Sequence, residues 1–252
     1  MRFLEDLGIR GSLVQWARLA AKARTAEPGR LAVLADKARK MGRHVTMIQR
    51  TAETRLATPP HMDRPTSVPP STDWSGRPSA WSAPVRPAGH APARNETTIG
   101  DDVTLYHDCR LTEISLRQIV VRQPDAHAPF ALQLDVFRFT GSFLSLVIRA
   151  PHEAVKGLGK AHVLRLTMQL ETERPVEIFA RLNLKNGPNT EQINKAVDQS
   201  GAECLIEYDM AYVPFNENWA EHIWFDLFFS DPGMNRIVIH DLILSRHRRA
   251  AL

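Results

Sequence analysis

The sequence predicts a mainly β protein: an antiparallel β-sandwich of jelly-roll type, preceded by an N-terminal pair of helices and a Pro-rich linker. Three observations carry this. Residues 11–55 repeat apolar side chains at helical spacing. Nine of the 17 prolines fall within residues 58–99. Residues 100–252 hold eight or more strand-like runs, one short helix and no βαβ rhythm.

In the arm, residues 1–57, Leu13, Trp16, Ala20 and Ala23 fall on one helical stripe. Leu31, Leu34, Ala38, Met41, Val45 and Ile48 form another. Pro28 suits a helix first turn, where its missing N–H would be unpaired anyway. Helices are expected at about 11–26 and 28–55. They either fold back as a hairpin or leave the second to pair between chains, and its heptad run covers about three repeats.

Residues 58–99 read as an extended linker, because Pro, Ser, Thr, Ala and Gly cannot bury enough surface to offset ordering entropy. Trp74 and Trp81 cost roughly 2 kcal/mol each to leave in water, so segment 73–81 is expected to dock on the sandwich.

In the body, residues 100–252, alternation is clearest over 164–170 and 178–184, and Phe143–Ile148 is almost continuously apolar. Further strands are expected at 112–122, 130–139, 142–149, 204–213, 222–229 and 236–245. Asp231-Pro232-Gly233 marks a turn. A helix is expected over 190–199, from the cap-like Asn189 and Gln192 and the following Gly201.

Charge divides unevenly: +7 over 1–57, +1 over 58–99 and −4 over 100–252. A mildly acidic body disfavours nucleic acid as a partner. The basic arm suits a solvated helical face, an anionic membrane surface, a partner helix or self-association through residues 11–55. No segment has the ~18 uninterrupted apolar residues of a membrane span, and charges interrupt the N-terminus, so a cytoplasmic location is expected.

Motifs for nucleophilic hydrolysis, nucleotide binding and zinc proteolysis are missing, and no cofactor is expected. His107 and Cys109 alternate on one strand face but lack a partner pair, so no metal site is expected and a structural role in a turn is favoured. Asp241 on the last strand is one oxygen donor where calcium needs six to eight. Glu207, Asp209 and Asp226 are the carboxylates to test against glycosidase spacing, so enzyme activity is weighed and no catalytic residue assigned.

The polar strand faces give the leading reading, a non-catalytic module that recognises a glycan or polysaccharide. Arg165 and Gln169 lie on one strand, Phe179, Arg181 and Asn183 on the next, and Asp209, Trp224 and Asp226 on later ones. Planar hydrogen-bonding groups suit hydroxyls, and an aromatic face suits a sugar ring. The competing reading is a salt-bridged outer face; strand order decides whether the groups share a sheet. The alternative function is a scaffold factor that uses the arm to oligomerise or bind a protein partner.

Thr72-Asp73-Trp74, Leu105–Gln118, Phe137–Ile148, Arg181–Gln192, Trp224–Leu227 and Met234–Arg249 carry a resemblance through most of the chain. On them it resembles an uncharacterised alphaproteobacterial family, a domain of unknown function with a C-terminal jelly-roll-like β-sandwich. Ser75-Gly76 depart from that family's second, closer tryptophan. The resemblance implies the layout of arm, linker and sandwich, and no activity.

Overall fold

The computed structural model describes residues 2–57, 68–123 and 126–249. Its chain separates into two units, Met1–Ala52 and Glu53–Leu252. The first holds helix α1, Arg2–Ala23, and most of α2, Pro28–Ala57. The first starts ahead of the expected residue 11 and ends short of 26, and the second runs two residues past the expected 55. The α2 stripe stays in water: Leu31, Met41, Val45 and Ile48 are 41–68% exposed.

The second unit opens with β1 (Thr72–Gly76), α3 (Ser79–Ser82), β2 (Gly89–His90) and β3 (Thr97–Ile99). Then follow β4 (Val103–His107), β5 (Ile114–Val120), β6 (Phe130–Val136), β7 (Leu144–Arg149) and α4 (His152–Val155). The remainder is β8 (His162–Thr172), β9 (Glu177–Asn186), β10 (Asn189–Ala196), β11 (Cys204–Asp209), β12 (Ala220–Ser230) and β13 (Asn235–Arg248).

Two antiparallel sheets form the sandwich. One runs β11-β8-β13-β6-β5-β2, with β1 also on β13, and the other runs β10-β9-β12-β7-β4-β3. The chain stays within one sheet only from β1 to β2, β3 to β4, β5 to β6 and β9 to β10, and crosses to the other sheet at every other step from β2 to β13. Between the sheets lie Leu164, Leu166 and Met168 of β8 and Leu242 and Leu244 of β13. Leu182 and Leu184 of β9 and Phe225 and Leu227 of β12 meet them from the other side. Each alternates with a polar or half-buried neighbour, as a two-layer fold requires. In β7, Ser145 and Val147 are shielded on the outer face as well, since the strand sits between β12 and β4. Phe143, expected within that buried run, lies before the strand and is 41% exposed.

One expectation needs correction. Residues 190–199 are not a helix. Asn189–Ala196 is an edge strand on β9, joined by a two-residue turn with Gly187 at φ 57°. A positive φ suits glycine, and Gln192 donates to Asn183 Oδ1 (2.8 Å) rather than capping a helix. Of the expected linker, residues 58–67 lie outside the described residues, and the attachment to the sandwich extends beyond the 73–81 segment expected to dock. Segment 72–99 is a strap bound to the sandwich. Trp81 is 0% exposed and donates its indole N–H to Ile239 O at 2.8 Å. Gln118 fastens the next turn, donating to Ala80 O and Ala83 O (2.8 and 2.7 Å) and accepting from Val85 N. Arg77 grips Asp241 through two hydrogen bonds of 2.8 and 3.0 Å. At the strap's start, Asp73 accepts from the buried Arg246 (2.8 Å) and meets His162 at 3.2 Å.

Candidate functional site

Strand order divides the residues singled out from the sequence. Phe179, Arg181 and Asn183 of β9 and Trp224 and Asp226 of β12 share the outer face of the six-stranded sheet. Their registers are Asn183 opposite Trp224 and Arg181 opposite Asp226. Arg165 and Gln169 of β8 and Asp209 of β11 lie on the other sheet, facing away, so they cannot join the same site. There Arg165 donates to Glu207 (Nε to Oε1, 2.9 Å), Gln169 pairs in register with Asp241, and Asp209 caps the following turn at Ala211 N.

The same division separates the carboxylates weighed for glycoside cleavage. Asp226 is on one sheet's outer face, and Glu207 and Asp209 are on the other's, with the core between them. Asp241 is held by Arg77 and by Leu242 N, so its charge is already matched. His107 uses both ring nitrogens: Nδ1 accepts from Cys109 N (3.2 Å), which leaves Nε2 to donate to Ala93 O (3.0 Å). Cys109 Sγ points to Leu111 O (3.1 Å). The two residues lock a corner. Among the described residues, no three His, Cys, Asp or Glu side chains converge on a metal position.

The six-stranded face is built in rows across the strands. One row reads Gln192, Asn183, Trp224 and Arg149; the next reads Asn194, Arg181, Asp226, Val147 and Thr104. A third brings together Ala196, Phe179, Phe228, Ser145 and Tyr106. Beneath these rows runs a hydrogen-bonded chain. Gln192 donates to Asn183 Oδ1, and Asn183 Nδ2 donates to Asp226 Oδ2 at 3.1 Å. Arg181 Nε donates to the same carboxylate oxygen at 2.9 Å, and its guanidinium lies 4.6 Å from the Phe228 ring centre. Asp226 and Asn183 are buried, and Gln192, Asn194 and Phe179 are exposed. The buried carboxylate thus fixes Arg181 and the amides, while the outer groups meet solvent. Arg149 donates to Thr104 Oγ1 at 3.0 Å on the same face. A cavity of 440 Å³ opens beside Phe179, walled by Val176, Ile178, Ala196 and Gln199.

Sequence reasoning missed Gln192 and Asn194, because β10 was read as a helix, and Arg149, Thr104 and Tyr106, because strand neighbours were unknown. The Gly187-Pro188 turn directly after a strongly alternating strand was the available signal for a hairpin.

A protein-family model, one described only as a family of unknown function, matches residues 1–252. No curated protein matches the chain in sequence. Among solved structures it is similar to the CBM22-1 xylan-binding domain from Paenibacillus barcinonensis Xyn10C, at 11% identity and TM-score 0.39, covering 64% of this chain and 94% of that one. It is similar also to a family 11 carbohydrate-binding module from Clostridium thermocellum in complex with a β-1,3-1,4-mixed-linked tetrasaccharide (8%, TM-score 0.35, 60% and 92%). A third is the enzymatically active domain of bacteriophage CBA120 tailspike protein 4, at 8% and TM-score 0.40; the match covers 59% of this chain and spans only 20% of that protein's length.

Proposed function

The chain belongs to that family of unknown function, DUF6478, and we propose that its sandwich is a non-catalytic binding module whose ligand is a glycan chain lying across β10, β9 and β12. The observation that carries this is the row of Gln192, Asn183 and Trp224, with Arg181 and Asn194 alongside. Amide and guanidinium groups offer paired donors and acceptors to vicinal hydroxyls, and a half-buried indole offers an apolar face to a sugar ring. The groups below are already satisfied by one another, so binding costs little reordering. The face is a sheet surface rather than a deep pocket, which suits an extended polymer read along its length.

The test is calorimetric titration of the full chain with soluble β-linked polysaccharides, comparing wild type with Trp224→Ala and Gln192→Ala. Binding by wild type, weakened at least tenfold (about 1.4 kcal/mol) in Trp224→Ala, supports the reading. Binding that survives both substitutions moves the ligand elsewhere, and no binding by wild type removes it.

A further inference from the structure

We propose that α2 is the stem of a homodimer, pairing in parallel with α2 of a second copy of this chain. The apolar positions Leu31, Leu34, Ala38, Met41, Val45 and Ile48 are separated by three, four, three, four and three residues. The pattern repeats every seven residues, two steps per repeat, which is the heptad of a left-handed coiled-coil seam, with Leu31, Ala38 and Val45 at a and Leu34, Met41 and Ile48 at d. In the single chain most of the seam is exposed: Leu31 is 42%, Met41 41%, Val45 45% and Ile48 68% exposed, while Leu34 is half-buried. Burying it offers roughly 25 cal/mol for each Å² of apolar surface removed from water.

Charge and composition select the occupant. The positions flanking the seam are Arg30, Lys37 and His44 on one side (g) and Ala35, Gly42 and Gln49 on the other (e). A parallel pair sets each g against an e of its partner, so every cation faces an uncharged residue. An antiparallel pair sets g against g and brings Lys37 and His44 of two chains together. The same basic flank would welcome anionic lipid. Interfacial helices, however, use a broad apolar face rich in Trp, Phe and Leu, and Pro28–Ala57 contains no aromatic residue and only a narrow stripe. Acidic Asp36 sits on the outer side at f, where it meets Lys40 at 2.9 Å within its own helix. Each chain brings one sandwich, so pairing puts two copies of the sheet face on one molecule.

The experiment is sedimentation equilibrium of the full chain across a concentration series. Wild type is expected to move from one to two chain masses. Ile48→Glu and Val45→Glu, with a seam charge, are expected to stay monomeric, and Met47→Glu, off the seam, to behave as wild type. Circular dichroism confirms that each variant keeps its sheet signal. Orientation is read with Leu31→Cys under oxidation. In a parallel pair the residue meets itself and cross-links, whereas in an antiparallel pair it lies opposite Ile48, about 26 Å away along the helix. A wild type monomeric at every concentration, a stoichiometry other than two, an Ile48→Glu dimer, dissociation of Met47→Glu, or no cross-link in dimeric Leu31→Cys each overturns the proposal. So does a monomeric chain that pellets with phosphatidylserine vesicles, which would assign the arm to a membrane surface.

Discussion

Replacing Trp81 with alanine should destabilise the sandwich by about 3–5 kcal/mol, the range for deleting a buried aromatic side chain. The structure sets the magnitude. The side chain is completely buried, packs in the core cluster beside β6 and β13, and donates its only N–H to Ile239 O. Alanine removes the ring and leaves that carbonyl without its partner. Trp81→Phe isolates part of this, keeping most of the apolar ring and losing the hydrogen bond, at a cost of about 1–3 kcal/mol. Urea unfolding of the full chain, followed by circular dichroism, measures both from the shift in midpoint at unchanged slope. Native domains are typically stable by about 5–15 kcal/mol, so 3–5 kcal/mol is a large share of such a total. A cost under about 1 kcal/mol for Trp81→Ala would mean the strap is not part of the cooperative unit, and the account of residues 72–99 would be wrong.

Further outcomes follow from the same contacts. Asp226→Ala should cost about 2–4 kcal/mol in urea unfolding, less than a fully buried pair because Arg181 keeps access to water, and it should weaken glycan binding by releasing Arg181 and Asn183. Gln118→Leu removes three hydrogen bonds to the strap and should cost about 2–4 kcal/mol, with β5 and β6 intact by hydrogen exchange. Burial pushes the Asp73 carboxyl up, but the hydrogen bond and charge of Arg246, with His162, outweigh it and hold the group below its ordinary range. A depressed carboxyl stabilises the fold above its unfolded pKa of about 3.9, and that contribution fades as pH falls through the folded value. Thermal melts should therefore show a steeper loss of stability below about pH 4 in wild type than in Asp73→Asn.

How much of this could be read from residues depends on burial geometry. β8 and β9 were legible because each packs an apolar face on the core and carries polar groups on the other, so Leu164 to Leu170 and Ile178 to Leu184 alternate cleanly. β10 was not, because an edge strand with mostly exposed side chains carries no such alternation, and Asn189, Gln192 and Gly201 imitate helix ends. β4 escaped notice for its shortness, although Val103, Leu105 and His107 all point inward. In the proline-rich stretch, composition argued for a free linker, while two tryptophans argued for docking. Burial of Trp81 outweighs the entropy of ordering a chain that proline already restricts. The site was half legible. Arg181, Asn183, Trp224 and Asp226 meet because β9 and β12 are neighbours, and Arg165 falls away because the chain crosses to the other sheet between Thr172 and Glu177. Nothing in local periodicity records that crossing.

The central claim is that the face of β10, β9 and β12 binds a glycan, and the most direct measurement is the dissociation constant of the full chain for a soluble β-linked polysaccharide, with and without Trp224→Ala. The account predicts saturable binding by wild type and at least a tenfold loss in the variant, with the urea midpoint shifted far less than by Trp81→Ala. Equal affinity in wild type and a folded Trp224→Ala, or no binding by wild type, would contradict it.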